Sequence, residues 1–254
     1  MIQEQLTRKV TSIGNGAHIF APKEWVNEEV ILIRIPKKDA KNEALKLLYP
    51  HLNKVIAAFV FGSYARGEQE KDSDVDLFVI SDKSFKVHSK NIEVIVIPEK
   101  KLEEARKLNP ILFNAMLQEA LPIINGSYLE KLKQKKQSLE DFKTFIQDTK
   151  KLIKMNKEMI ELERLDKYSS ASTIYSLILR LRGVFLINLI LNKQTYSKKL
   201  FSKWVIANCK LDYEKIYNIY KAIKYNKKPS EKASISEAES LLLLLEKEIE
   251  KYDK

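Results

Sequence analysis

The feature that most constrains this sequence is a pair of aspartates inside an apolar run. Residues 62–80 read GSYARGEQEKDSDVDLFVI, in which a Gly-Ser pair is followed by Asp74 and Asp76. Apolar residues alternate with the two aspartates, which predicts a β-strand over residues 74–80 with both carboxylates on one face. Because charge is costly to bury on a central strand, the pair requires something cationic nearby.

The spacing of the two aspartates indicates what that cation is. Side chains two residues apart on one strand face have Cα atoms roughly 6.5–7 Å apart. Two carboxylates at that separation can converge on two divalent ions roughly 3.5–4 Å apart, the geometry of two-metal phosphoryl chemistry. Oxygen ligands without a nearby His or Cys favour Mg²⁺ or Mn²⁺ over zinc. Asp74 and Asp76 are therefore predicted metal ligands.

The Gly-Ser pair supplies a site for an anion. A strand predicted over residues 55–61 ends at this pair, and a short helix follows through Arg66. Backbone N–H groups at the start of such a helix face an anion. Gly62 lets a phosphate approach the backbone closely, Ser63 can donate a hydrogen bond to it, and Arg66 can pair with it. These three residues are predicted to bind a triphosphate that faces the metal pair.

The complete pattern resembles a known signature. Gly62-Ser63, ten further residues and then Asp74-Val75-Asp76 is similar to the GS-x10-D-x-D motif of the polymerase-β-like nucleotidyltransferases, and it looks most like the minimal nucleotidyltransferases of prokaryotes. The resemblance covers residues 40–125. It implies Mg-dependent transfer of a nucleotidyl group, AMP from ATP being the expected case, with release of pyrophosphate.

The same resemblance implies a third carboxylate on the next strand. The candidate is Glu93 in KNIEVIVIPE, at a position where members of the family usually have aspartate. Glutamate is one methylene longer, and a displacement of about 1 Å at a reacting group can cost on the order of 10²-fold in rate. Glu93 is predicted as the third metal ligand and catalytic carboxylate, and an exposed strand residue in a degenerate enzyme is the alternative.

The pattern of apolar residues divides the chain into three domains: 1–37, 38–126 and 127–254. Helix and strand signals alternate in the second domain, with helices predicted over 40–50, 99–108 and 110–119 and strands over 55–61, 74–80 and 91–97. The third domain is helical throughout, with polar breaks near 166–172, 192–199, 208–212 and 226–236. The predicted fold class is α+β: a polymerase-β-like core whose mixed sheet is flanked by helices, a small N-terminal β-hairpin unit and a C-terminal helical bundle.

Residues 1–37 carry a second resemblance. The stretch contains Gly14-Asn15-Gly16, a hairpin signal. RKVTSIGNGAHIFAPKEWVNEEVILIRIP is similar to the swapped-hairpin, AbrB/SpoVT-like modules of transcription factors and antitoxins. The resemblance implies a homodimer that binds DNA through Arg8, Lys9 and Lys23. The alternative is an additional β-layer packed on the catalytic domain.

The net charge of +11 is unevenly distributed. Residues 1–126 contain 18 Lys and Arg against 17 Asp and Glu, whereas residues 127–254 contain 27 against 17. A polyanionic or acidic acceptor is therefore expected to dock on the helical domain. Arg180 and Arg182, in the most apolar helix, are the candidate acceptor-binding residues, and the alternative is that they pair with neighbouring helices or reach solvent.

Three further observations bear on the compartment. The start, MIQEQLTRKV, lacks the apolar core of a signal peptide, and the single Cys209 excludes an internal disulfide. No uncharged apolar run approaches 18 residues, because Arg180 and Arg182 interrupt the best candidate. A cytoplasmic protein without a membrane partner is expected.

Two functions from different classes remain. The first is an enzyme that transfers a nucleotidyl group to a protein such as a toxin, to an RNA or to a small molecule. The second is a DNA-binding regulator or antitoxin with a degenerate nucleotidyltransferase domain, which Glu93 and the N-terminal segment favour. The intact Gly62-Ser63 turn and the two aspartates favour the enzyme.

Overall fold

The computed structural model describes residue 8 and residues 10–30, 40–70 and 73–253. The chain forms two compact units, Met1–Lys38 and Asp39–Lys254. In the first unit, β1 (Thr11–Ile13) and β2 (Gly16–His18) pair antiparallel. Gly14 adopts a φ of 50°, which a side chain disfavours, and so it allows the tight turn between the strands. The hairpin predicted at this Gly-Asn-Gly is therefore present.

Apolar side chains of the first unit are largely exposed in the single chain. Ile13 is 62% exposed, Phe20 73% and Val26 65%. An isolated two-stranded hairpin is only marginally stable in water. Lys9 and residues 31–36, the end of the AbrB/SpoVT-like stretch, lie outside the described residues. The predicted dimer and DNA contacts remain predictions.

The second unit contains a mixed sheet with the strand order β5-β4-β3-β6 among the described residues. Its strands are β3 (Val55–Phe61), β4 (Val75–Ser81), β5 (Ile92–Pro98) and β6 (Leu121–Ile124). β3 runs antiparallel to both β4 and β6, and β4 runs parallel to β5. The first strand has the predicted bounds, and the next two each begin one residue later than predicted. β6 was not predicted, because it is short and contains Pro122.

Helices cover both faces of this sheet. They are α1 (Ala40–Leu48), α2 (Gly62–Arg66), α3 (Leu102–Leu108), α4 (Pro110–Glu119) and α5 (Gly126–Lys133). α1 packs against one face, where Leu77 and Val79 of β4 are fully buried. α3, α4 and α5 pack against the other, where Phe78 is buried. Asp76 lies two residues before Phe78 and therefore belongs to the α4 face.

Two of the predicted helices differ slightly from the observed ones. α1 ends at Leu48 instead of residue 50, and a 3₁₀ turn containing Pro50 follows. Proline lacks a backbone N–H and restricts the residue before it, which ends the α-helix there. α3 begins at Leu102, after a separate 3₁₀ turn over Glu99–Lys101. α4 has the predicted bounds.

The C-terminal part is helical, as predicted. Its helices are α6 (Lys143–Glu163), α7 (Ala171–Leu191), α8 (Lys198–Asn208), α9 (Tyr213–Lys224) and α10 (Ile235–Glu250). A small antiparallel pair, β7 (Tyr168–Ser169) and β8 (Ala233–Ser234), lies beside them. α7 is the central helix and packs against α6, α9 and α10. The predicted fold class, a mixed sheet flanked by helices with a helical C-terminal part, is confirmed.

α7 is long and apolar enough to cross a membrane by length and composition alone. Its most apolar window has a mean hydropathy of 1.8 and contains only two charged residues, Arg180 and Arg182. Within the protein, 56% of that window is buried against the surrounding helices. The apolar surface of α7 therefore forms much of the core of the helical part.

α4 connects the sheet to the helical part. It packs on the sheet through Phe113 and Leu117, and its outer side contacts α7. The Gln118 side chain donates a hydrogen bond of 3.3 Å to the backbone carbonyl of Ile190 near the end of α7. The end of α4 is thereby fixed between β3 and the helical part, next to the Gly-Ser turn.

Candidate active site

Two of the predicted carboxylates lie side by side on adjacent strands. In the parallel β4–β5 ladder, Asp76 is the register partner of Glu93. Register partners project to the same face, so these two side chains share one side of the sheet. Asp74 immediately precedes β4 and is exposed, and Glu93 is exposed as well. The register therefore brings Asp76 and Glu93 together, while Asp74 lies at the entrance of the strand.

The electrostatic environment of Asp76 is dominated by other carboxylates. Partial burial, followed by the negative charges of Glu93, Glu119 and Asp74 and against the opposing charge of Arg66, raises the pKa of Asp76 from an ordinary value of 3.8 to about 6. A cation near these carboxylates would relieve the repulsion. The excess negative charge and the oxygen-only donors therefore fit Mg²⁺ or Mn²⁺.

The carboxylates do not form a closed ligand set in this structure. Across the described ranges 10–30, 40–70 and 73–253, no group of three His, Cys, Asp or Glu side chains is arranged to hold a metal ion. The fit to a divalent ion therefore rests on donor type and charge. The assignment of Asp74, Asp76 and Glu93 as ligands remains a prediction.

Gly62 is required by two features of the turn. Its φ of 72° is a left-handed conformation that side chains rarely adopt, and a Cβ at this position would lie 1.9 Å from Oδ2 of Asp76. The backbone of the turn thus touches the carboxylate directly, and only glycine permits that approach. Ser63 follows as the second residue of α2 and is half-buried. The Gly-Ser turn and the predicted metal-binding carboxylate are in contact, as a nucleotide and metal site requires.

A carboxylate that the sequence did not indicate lies at the same turn. The Gly62 N–H donates to Glu119 Oε1 at 2.8 Å, and Arg66 Nη1 donates to Glu119 Oε2 at 2.6 Å. Arg66 Nε also donates to Glu68 Oε2 at 2.8 Å. Two donors predicted to face a phosphate are therefore bound by carboxylates in this structure.

Glu119 is strongly buried, with only 8% of its side chain exposed. Burial raises the pKa of Glu119, while its hydrogen bonds from Arg66 and Gly62 and the charge of Arg182 oppose the rise. In the sequence, its only signal is a charged residue at the end of the apolar run ILFNAMLQEALPII. That signal is equally typical of a solvated helix end, which is why sequence reasoning missed this residue.

The helical part reaches the site through the segment between α7 and α8. The Arg66 guanidinium lies 5.4 Å from the centre of the Tyr196 ring. The backbone N–H of Lys198, the first residue of α8, donates to Glu68 Oε1 at 2.9 Å. Tyr196 is buried, with 8% of its surface exposed. The α2 turn is therefore anchored to the helical part by both polar and aromatic contacts.

The structure separates the two arginines predicted to bind the acceptor. Arg180 lies 5.0 Å from the centre of the Phe145 ring on α6, whereas Arg182 lies 5.2 Å from the centre of the Tyr196 ring. Side chains two residues apart on a helix point about 160° apart, so Arg180 and Arg182 cannot line the same surface of an acceptor site. Only Arg182 lies beside the predicted nucleotide turn, and its role as an acceptor contact remains a prediction.

Arg182 lies in an aromatic environment. Burial disfavours its charge, but the neighbouring Tyr196 and Tyr220, the latter through a hydrogen bond, hold the pKa of Arg182 above its ordinary value. Its Nε is buried without a hydrogen-bond partner, and among the described residues no ion pair of Arg182 occurs. Arg182 is thus a charged group beside the site with unused hydrogen-bonding capacity.

Comparison with known proteins identifies the family. A family model described as nucleotidyltransferase domain matches residues 40–168. No curated protein matches the chain. Among solved structures, spectinomycin adenyltransferase AAD(9) from Enterococcus faecialis, with ATP and spectinomycin, is 15% identical, with a TM-score of 0.43 over 86% of this chain and 100% of that one.

A second solved structure is a nucleotidyltransferase-like protein from Exiguobacterium sibiricum 255-15. It is 14% identical, with a TM-score of 0.38 over 84% of this chain and 74% of that one. The family match does not include residues 1–39, so the AbrB-like resemblance of the N-terminal segment stays a prediction. Because the family model covers half of the chain, this protein belongs to the nucleotidyltransferase domain family and is a transferase.

Proposed function

We propose that this protein transfers a nucleotidyl group, AMP from ATP, to an acceptor hydroxyl in a reaction that depends on Mg²⁺ or Mn²⁺. The observation that carries the proposal is the contact between the Gly62 turn and Asp76, which lies beside Glu93 on the next strand. A phosphate-binding turn against a carboxylate pair is the arrangement that phosphoryl transfer requires. In the reaction, the acceptor oxygen bonds to the α-phosphorus and the bond to the pyrophosphate oxygen breaks.

We assign a different role to each group of side chains in the site. Asp74, Asp76 and Glu93 would hold two divalent ions, which when bound would offset the charge that develops on the phosphates. Gly62 and Ser63 would bind the triphosphate from the start of α2. The exposed position of Glu93 also leaves its carboxylate accessible to the proton of an attacking hydroxyl.

The acceptor is expected to be acidic. An acceptor hydroxyl must come within about 3–3.5 Å of the α-phosphate, and the helical part with its excess of Lys and Arg adjoins the site. A partner protein such as a toxin, or an RNA, fits this charge. The affinity for bulk tRNA, measured across a salt series, distinguishes them. If RNA is the acceptor, a plot of log affinity against log salt concentration should have a slope of about −0.7 per phosphate neutralised. If tRNA does not bind at low salt, a partner protein remains as the acceptor.

The proposal is tested by metal-dependent ATP binding and transfer. Wild-type protein should be stabilised by Mg²⁺ with ATP, by about 2.7 kcal/mol at 100 times the dissociation constant, and should label an acceptor in lysate with α-labelled ATP. The double variant Asp74→Asn, Asp76→Asn should lose both effects. Asp82→Asn, an exposed aspartate just after β4, is the matched control and should retain them. An equal thermal shift in the double variant would disprove the two-metal mechanism.

The second candidate is a DNA-binding regulator or antitoxin with a degenerate nucleotidyltransferase domain. The observation that favours it is the exposed apolar surface of the N-terminal hairpin, which fits a dimeric module. Such a protein would show duplex DNA binding that depends on residues 1–37 and no transfer from labelled ATP. The two assays together therefore separate the two functions.

A further inference from the structure

Carboxylates occupy hydrogen-bond donors of the predicted nucleotide turn. One carboxylate, Glu119, accepts hydrogen bonds from both the Gly62 N–H at 2.8 Å and Arg66 at 2.6 Å. A carboxylate that bridges a backbone N–H and a guanidinium makes the same two contacts as a phosphate oxygen pair. Glu119 therefore stands where the proposed function places the phosphate tail of the nucleotide.

A triphosphate and this carboxylate cannot use the same donors together. Each N–H group donates one strong hydrogen bond, and two anions at hydrogen-bond distance from the same groups repel each other in a partly buried site. Binding of a phosphate to the Gly62 N–H must therefore release Glu119 from that group, whereas Arg66 has further N–H groups that can bind the phosphate. Because Glu119 is buried, its released carboxylate needs another cation.

Arg182 is a cation placed to meet that need. Its guanidinium and that of Arg66 both lie against the Tyr196 ring, at 5.2 and 5.4 Å from its centre. Its positive charge already acts on the Glu119 carboxylate. Its buried Nε has no hydrogen-bond partner, so it has a donor to offer. Arg182 thus combines proximity, charge and an unused donor.

We propose that Glu119 and Arg182 are positioning residues for the nucleotide: Glu119 holds the Gly62 turn until a triphosphate displaces it, and Arg182 then receives its carboxylate. This inference rests on the proposed function. It gives the turn two states: in one, Glu119 binds the Gly62 N–H and Arg66, and in the other, a triphosphate binds the turn and Glu119 binds Arg182. It also links nucleotide binding to α7 of the helical part.

The test is a double-mutant cycle on Mg-ATP affinity, measured by calorimetry on the full chain. Glu119→Gln removes the competing charge and should tighten binding on the order of tenfold. Arg182→Gln removes the receiving partner and should weaken binding by a similar factor. In the double variant, Arg182→Gln should no longer weaken binding, so that the affinity for Mg-ATP equals that of Glu119→Gln alone. The affinities of the variants for inorganic tripolyphosphate should follow the same order as their affinities for Mg-ATP.

Matched variants control for charge and folding. Glu104→Gln, an exposed glutamate of α3, and Arg164→Gln, which removes a surface arginine paired with Glu161 and Glu239, should leave ATP affinity unchanged. Glu119→Asp keeps the charge but cannot span both donors, and it too should tighten binding. It serves as the deciding variant if Glu119→Gln does not fold.

Three results overturn the inference. Unchanged or weaker ATP binding in Glu119→Gln would mean that Glu119 does not compete with the phosphates. A double variant that binds more weakly than Glu119→Gln alone would mean that Arg182 contacts the phosphates directly. A wild-type protein that binds neither Mg-ATP nor tripolyphosphate would overturn the proposed function and this inference with it, which distinguishes that failure from the first two.

Discussion

Replacing Asp76 with asparagine should stabilise the metal-free protein at neutral pH. The difference between an ordinary pKa of 3.8 and a pKa of about 6 in the folded protein means that ionised Asp76 opposes folding. At about 1.4 kcal/mol per pKa unit this is an upper limit of about 3 kcal/mol, and solvent screening of a half-buried group reduces it to about 1–2 kcal/mol. Asp76→Asn should therefore raise the free energy of unfolding by about that amount.

The effect has a defined pH window. A carboxyl with a raised pKa binds its proton more tightly in the folded state, so its contribution to stability falls as pH rises from about 4 to about 6. Above about pH 6 the penalty is complete, and below about pH 4 both states are protonated and the penalty vanishes. The advantage of Asp76→Asn over wild type should therefore be present at about pH 7.5 and absent near pH 4.

Urea denaturation of both proteins, followed by circular dichroism at the two pH values, measures this difference directly. Mg²⁺ added at neutral pH should stabilise wild type and not Asp76→Asn, because the cation relieves the repulsion that the substitution removes. A variant less stable than wild type at neutral pH would refute the reasoning. It would mean that attraction to Arg66 outweighs the burial of Asp76 and the charges of Glu93 and Glu119.

Three further predictions concern other parts of the chain. Glu93→Gln should abolish transfer while leaving ATP binding largely intact, the pattern of a group needed in the transition state; full activity would place the third carboxylate role elsewhere or dispense with it. Gly62→Ala should cost more than about 1 kcal/mol in urea denaturation and weaken Mg-ATP binding, because its Cβ meets Asp76 at 1.9 Å and its φ is positive; a neutral effect would show that the turn can shift. Deleting residues 1–37 should halve the mass measured by light scattering and remove duplex DNA binding, and an unchanged mass would favour a β-layer packed on the catalytic unit.

The sequence by itself determined the features of this protein that depend on local chain geometry. Alternation with period 2 is enough to place Asp76 on the face opposite Leu77 and Val79, because successive strand residues always point to opposite sides. The Gly62-Ser63 pair after the apolar run 55–61 is enough to place a turn between a strand and a short helix, because glycine adopts backbone conformations that other residues avoid. The helix ends in the C-terminal part coincide with polar breaks, since a helix that packs on one face loses its apolar period where it leaves the core.

Only the tertiary structure decided the contacts between residues distant in the chain. Glu119 reaches Gly62 because α4 packs across the sheet and β6 then returns beside β3, and no local pattern in the sequence encodes that path. The separation of Arg180 from Arg182 depends on which neighbouring helix covers each side of α7. Hydrogen bonds and ion pairs form over about 3–4 Å, so they depend on the final packing of elements, whereas periodicity depends only on backbone geometry.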